Sequence, residues 1–173
     1  MQKKILKLSV YGIVIFFILF LGIHSVSKIK DKQLAKENIQ IFKPFCAQNI
    51  VTSTEFCTNS LLNKPIIVMF MHPECDFCQE EIKQLKENQE KLKNVYILLI
   101  TSAPIKQAQK FYEDQELFQL TNVQFLSDEN TKLSDYFDAN VIPSIFVYNN
   151  KLKLVHKCIG EIKIETLLSY LSE

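Results

Sequence analysis

The chain has 173 residues with 20 basic against 19 acidic side chains and a net charge of +1, and every basic residue other than histidine is Lys. With no long block of one sign in the body, this balance excludes a charge-driven nucleic-acid binder, and the lack of guanidinium groups argues against bidentate phosphate recognition. Five cysteines and 47% hydrophobic residues fit one globular domain behind an atypical first stretch.

That first stretch opens with Lys3, Lys4 and Lys7 and continues as an almost wholly apolar run over 8–23, which reaches spanning length when counted over 5–26. Basic residues ahead of such a run keep the N-terminus in the cytoplasm and send the downstream chain across the membrane. A cleaved signal peptide is the rival reading, with Ser25-Val26-Ser27 as its cleavage site. No Ala-x-Ala stands there and no Cys comes after it for lipidation, which favours an uncleaved signal-anchor over 1–27. Residues 28–41 are polar and Lys-rich with weak helical periodicity (Ile29, Leu34, Ile39), as expected of a linker, and the domain occupies 42–173. Either reading exports that domain, on the extracytoplasmic or periplasmic side, so its cysteines meet an oxidising compartment.

Residues 42–47 and 53–57 read as short strands of a β-hairpin. Cys46 and Cys57 then lie on adjacent antiparallel strands, either as a structural disulfide closing a small loop or as two buried free thiols, a choice that Cβ geometry decides.

The centre of the chain is the apolar run Ile66-Ile67-Val68-Met69-Phe70-Met71, rich in β-branched and aromatic residues, followed by His72-Pro73-Glu74-Cys75-Asp76-Phe77-Cys78. The run fits a strand buried on both faces, and the polar segment fits its turn into a helix. Apolar positions Phe77, Ile82, Leu85 and Leu92 carry that helix through to about Leu92. Cys75 thus falls near a helix N-terminus, where unpaired N–H groups and the dipole stabilise a thiolate, and Cys78 sits within bonding reach. A thiolate that attacks and a second thiol that resolves are the machinery of dithiol–disulfide exchange, and Cys75 is the expected nucleophile. Glu74 and Asp76 flank it: either they oppose the dipole, which favours a reducing over an oxidising role, or both point to solvent and are screened.

Downstream, 95–101 reads as a second core strand and Ser102-Ala103-Pro104 as the start of a helix running to about Asp114, with the proline in its first turn. Residues 123–126 form a short strand, and Asp128 or Thr131 caps a helix around 133–137. A strand over 142–148, a turn at Asn149-Asn150, a returning strand over 153–159, Gly160 and an amphipathic helix over 164–171 complete the domain. Strands alternating with helices, then a hairpin and a last helix, give a mixed sheet covered on both faces.

The strand–CxxC–helix start, followed by Val141-Ile142-Pro143 ahead of another strand, resembles the thioredoxin superfamily, and within it the membrane-anchored TlpA/ResA-like thiol–disulfide oxidoreductases. The resemblance implies an α/β fold, a three-layer α/β/α sandwich with a mixed central sheet and an N-terminal β-hairpin extension. It implies that Cys75 and Cys78 are catalytic, that Glu81 handles protons beside them, and that Pro143 is a cis proline with Ile142 lining a docking groove shared with Asp76 and Phe77. No cofactor beyond the redox-active Cys75/Cys78 disulfide is expected. The implied partners are exported protein thiols and disulfides, an upstream electron donor, and the membrane through the N-terminal helix; no nucleic acid is expected, and the chain is expected to be a monomer. Glu81, next to Glu80, can alternatively be a solvated helix-surface carboxylate.

The chain departs from thioredoxins in lacking Trp and in carrying Met69 where a buried acid stands on their strand. Two rival functions are weighed. A peroxiredoxin-like peroxidase wants Pro and Thr/Ser where Val68 and His72 stand. A non-catalytic metal- or partner-binding module, with His72 joining Cys75 and Cys78 on zinc, lacks a fourth ligand at a recognisable spacing. Cys158 is expected as a core thiol and His156 as a surface residue.

Overall fold

The computed structural model describes residues 37–61 and 63–171. The anchor expected over 1–27 and most of the linker over 28–41 lie outside these residues; among the described ones no helix is long and apolar enough to cross a membrane. Residues from Asn38 onward form one compact unit.

Strands β1 (Cys46–Gln48) and β2 (Glu55–Cys57) make the expected antiparallel hairpin, shorter than the sequence suggested. Thr58 donates its N–H to the Phe45 carbonyl and Asn49 donates to Thr54, so those two pairs are hydrogen-bonded. The alternation then makes Cys46 and Cys57, directly opposite in register, a non-hydrogen-bonded pair, where facing side chains approach most closely. They are joined as a disulfide, the first of the two alternatives.

The main sheet has the order β5-β4-β3-β6-β7, built from β3 (Ile66–Phe70), β4 (Tyr96–Thr101), β5 (Val123–Ser127), β6 (Ser144–Tyr148) and β7 (Leu154–Ile159). β3, β4 and β5 run parallel, while β6 and β7 are antiparallel to their neighbours, which gives the mixed sheet. Every residue of the central strand β3 is buried, as its unbroken apolar run requires. Side chains of alternate β3 residues enter two separate cores. Ile67 and Met69 pack with Ile82 and Leu85 of α1 (Asp76–Glu87), Ala108 and Phe111 of α3 (Ile105–Asp114), and Leu167 of α5 (Ile164–Tyr170). On the other face, Ile66, Val68 and Phe70 pack with Phe146, Phe42 and Phe137 of α4 (Lys132–Phe137), and the hairpin's Phe45 and Phe56 lean on that core. Three layers result, with the hairpin supplementing the thinner helical layer.

Both edges of the sheet are covered in part. Ile50 donates its N–H to Phe125 and Asn49 bridges Leu126 along β5, while Phe42 donates to Leu152 and Ile41 bridges Lys153 beside β7. Covering an edge in this way removes a template for unwanted strand pairing.

Two local expectations are corrected and one open choice is decided. The helix after the cysteines ends at Glu87 and a short α2 (Gln89–Leu92) comes next, because Asn88 turns its side-chain amide and its N–H back onto the Gln84 carbonyl. Pro104 is the N-cap residue of α3 rather than part of its first turn. Of the two candidate caps of α4, Asp128 does the work: its carboxylate accepts the N–H groups of Leu133 and Ser134 and the Ser134 hydroxyl, whereas Thr131 has a left-handed φ of 55° and no side-chain cap bond.

Candidate active site

The parallel strand β3 delivers the chain to its C-terminal end, where Met71 still pairs through its N–H with Ile100. The next turn is tied down by short-range bonds. Cys75 donates its N–H to the His72 carbonyl, Glu74 donates its N–H to His72 Nδ1 at 3.2 Å, and the Gln79 amide donates to the Pro73 carbonyl at 2.8 Å. From α3, Gln107 donates to the Glu74 carboxylate at 2.8 Å. The cysteine turn is therefore anchored from its own helix and from the neighbouring one.

Cys75 is the N-cap of α1, one residue outside the helix, and its sulfur accepts the Cys78 N–H at 3.2 Å. In a reduced protein this N–H and the helix dipole stabilise charge on that sulfur. Cys75 and Cys78 are joined as a disulfide with a Cα–Cα distance of 5.2 Å. Cys75 is half-buried and Cys78 is fully buried, so the outer sulfur is the more accessible of the two.

Phe77, expected on the buried face of the helix, is instead 60% exposed. In the first turn its position points away from the Ile82–Leu85 stripe, and it adds apolar surface beside the disulfide. Asp76 and Glu74 are both exposed, so water weakens their opposition to the dipole, but as direct neighbours of Cys75 they still lie within a Debye length of its sulfur.

Glu81 is not a solvated surface carboxylate: it is 2% exposed and accepts the Ile162 N–H at 2.6 Å. Loss of hydration pushes its pKa up from 4.5 to about 7; the Ile162 bond works against that shift, and the charges of Glu161 and Glu80 add to it. Cys78 and Glu81 are i,i+3 neighbours on one helix, both buried. Cys158, on β7, is a free, partly buried thiol whose pKa is raised by burial and then by the Glu81 charge. His156, half-buried rather than at the surface, stacks on Tyr170 with ring centroids 4.0 Å apart.

The antiparallel register pairs Ser144 with Phe70, which brings Ile142 and Pro143 to the end of β3 from which the cysteine turn departs. The Ile142–Pro143 peptide bond is cis. Val141 is 54% exposed, Ile142 40% and Ile159, opposite Ser144 on β7, 58%. A set of solvent-facing apolar side chains thus collects at the disulfide-bearing end of the sheet, a placement that alternation within each strand does not reveal. Sequence reasoning missed Gln79 and Gln107 as anchors of the turn; neither polar residue carries a local signal of its distant partner.

His72, Cys75 and Cys78 do not gather as a ligand set among the described residues. The one His/Cys/Asp/Glu group found there that is close enough for a metal is Cys46, Glu55 and Cys57, and both of its sulfurs are held in the hairpin disulfide.

A mixed five-stranded sheet with a CxxC disulfide at the N-cap of its first long helix and a cis proline loop at the same sheet end defines a thioredoxin-like protein. The chain belongs to the AhpC/TSA family, whose model matches residues 40–157. Among solved structures, it is similar to a secreted disulfide oxidoreductase of Mycobacterium tuberculosis homologous to E. coli DsbE, at 20% identity and a TM-score of 0.65, covering 79% of this chain and 97% of that one. It is similar to StoA from Bacillus subtilis at 19% identity and a TM-score of 0.58, covering 78% and 99%. Peroxidoxin BcpB from Mycobacterium tuberculosis matches at 16% identity and a TM-score of 0.64, covering 76% and 94%. No curated protein matches the chain.

Proposed function

We propose that the domain is an exported, membrane-tethered thiol–disulfide oxidoreductase that acts on partner proteins, in the reducing direction. The observation that carries this reading is the Cys75–Cys78 disulfide with its outer sulfur half-buried at a helix N-cap and its inner sulfur enclosed. The apolar run over 8–23 supports the tether, and structural similarity to a secreted oxidoreductase supports an exported domain.

In the reduced protein the Cys75 thiolate attacks one sulfur of a partner disulfide; a Cys75–partner disulfide forms and the other partner sulfur leaves as a thiolate. Cys78 then gives up its proton and attacks the Cys75 sulfur, which releases the second partner thiol and leaves the Cys75–Cys78 disulfide. Glu81, poised to exchange a proton near neutrality, is the group assigned to accept the Cys78 proton. A dithiol electron donor returns the pair to the reduced state. Phe77, Ile142 and Pro143 supply the surface on which an extended partner segment lies, with Asp76 at its border.

The test is insulin disulfide reduction by the full chain. Cys75→Ser should abolish it, and Cys78→Ser should accumulate a mixed disulfide through Cys75; full turnover by either variant refutes the assignment. A peroxidase reading is favoured by the family match and by the fold shared with a peroxidoxin. Rapid hydrogen peroxide consumption lost in Cys75→Ser, without insulin reduction, would select it.

A further inference from the structure

Next to the exchange site, on its far side from α1, lies a groove of about 340 Å³. Its floor is apolar, formed by Phe70, Met71 and Ile100 at the ends of β3 and β4, and Ile142 forms the wall it shares with the cis proline loop. Asp135, in the first turn of α4, is the one charged residue lining it. The Asp135 carboxylate is exposed and has no hydrogen bond or ion pair among the described residues; capping of α4 is already done by Asp128. Ser102, Thr131, Ser134 and Asn140 add polar groups to the lining, and a slot with an apolar floor, polar sides and a single unpaired carboxylate suits a long aliphatic stem with a cationic tip. Neutral or acidic side chains of the same length leave that carboxylate unmatched or repelled.

We propose that this groove receives a lysine or arginine side chain of the disulfide-bearing partner, so that the protein selects cysteines with a basic residue beside them. The inference rests on the exchange reading above and names the partner's chemistry. Ile142 belongs to both surfaces, so a segment laid across it can present its cysteine to Cys75 and a neighbouring side chain to Asp135. A solvent-exposed charge pair gives modest selectivity, about 1.5-fold to fivefold in rate, and salt screens it.

The experiment uses the full chain, reduced, with peptide disulfides carrying Lys, Ala or Glu directly before or directly after the cysteine, and hydroxyethyl disulfide as a probe too small to fill the groove. Expected is a kcat/KM order of Lys above Ala above Glu at one flank, expressed mainly in KM and reduced by 0.5 M salt, on the Debye scale of about 3 Å at 1 M. Asp135→Asn should bring Lys and Ala together, and Asp135→Lys should reverse the order. Equal rates for the three peptides at both flanks, or a Lys preference that survives in Asp135→Asn, overturns this inference alone. Failure of the wild-type chain to reduce hydroxyethyl disulfide overturns the exchange reading as well.

Discussion

Glu81 Oε1 accepts the Ile162 N–H at 2.6 Å, joining the middle of α1 to the segment between β7 and α5. The bond spans 81 residues of sequence and leaves a carboxyl group enclosed one turn beyond Cys78. Its pKa is raised to about 7, so the folded protein holds this proton more tightly than the unfolded chain does. The contribution to stability is therefore fully present below the unfolded value of 4.5, and it declines as pH rises towards 7. Urea unfolding of the wild type should lose about 2 to 3 kcal/mol between pH 5 and pH 8 relative to Glu81→Gln, whose amide oxygen can still accept from Ile162. Parallel pH profiles for the two proteins contradict this. In turnover assays Glu81→Gln should also lose any inflection near pH 7.

The hairpin disulfide closes a short loop between Cys46 and Cys57, separated by 11 residues. Loop-closure entropy alone gives about 2 to 3 kcal/mol for a ring of this size. The double variant Cys46→Ser/Cys57→Ser should unfold that much more easily in denaturant and keep its insulin-reducing activity, since Cys75 and Cys78 stand on a different element. Loss of turnover in a folded double variant would assign the hairpin a redox role.

Asp128 is 5% exposed and receives three hydrogen bonds from Leu133 and Ser134. Asp128→Ala should cost about 2 kcal/mol, because it removes the cap and leaves partly buried N–H groups unpaired. Asp128→Asn should cost less. Chemical denaturation at one pH distinguishes the two.

Much of this architecture is legible in the residues themselves. The unbroken apolar run Ile66–Phe70 announced a doubly buried central strand, and the polar cysteine segment after it announced a strand-to-helix turn. What local pattern could not give depends on residues far away in sequence. Glu81 looks like any acid beside Glu80 on a helix surface until the chain returns at Ile162 to enclose it. Phe77 fits an apolar repeat, yet around the helix it stands to one side of the buried stripe formed by Cys78, Ile82 and Leu85, and so it meets solvent. Asn88 interrupts a periodicity that by itself runs on to Leu92, because a short amide side chain competes for the helix carbonyls.

Phe77 and Ile142 are 60% and 40% exposed, so trimming them removes the proposed docking surface without opening a core cavity. Phe77→Ala and Ile142→Ala should raise KM for protein disulfides several-fold and change unfolding free energy by less than about 0.5 kcal/mol. Steady-state kinetics on insulin, set beside denaturation curves, separates a docking role from a structural one.

The most direct test is the reduction potential of the Cys75/Cys78 couple, obtained by equilibrating the full chain in dithiol–disulfide buffers and counting free thiols at these two positions. A reversible couple more reducing than about −200 mV is expected, towards the thioredoxin end of a scale whose oxidising end lies near −120 mV. A pair that does not titrate, or a potential at the oxidising end, contradicts a reductive exchange role.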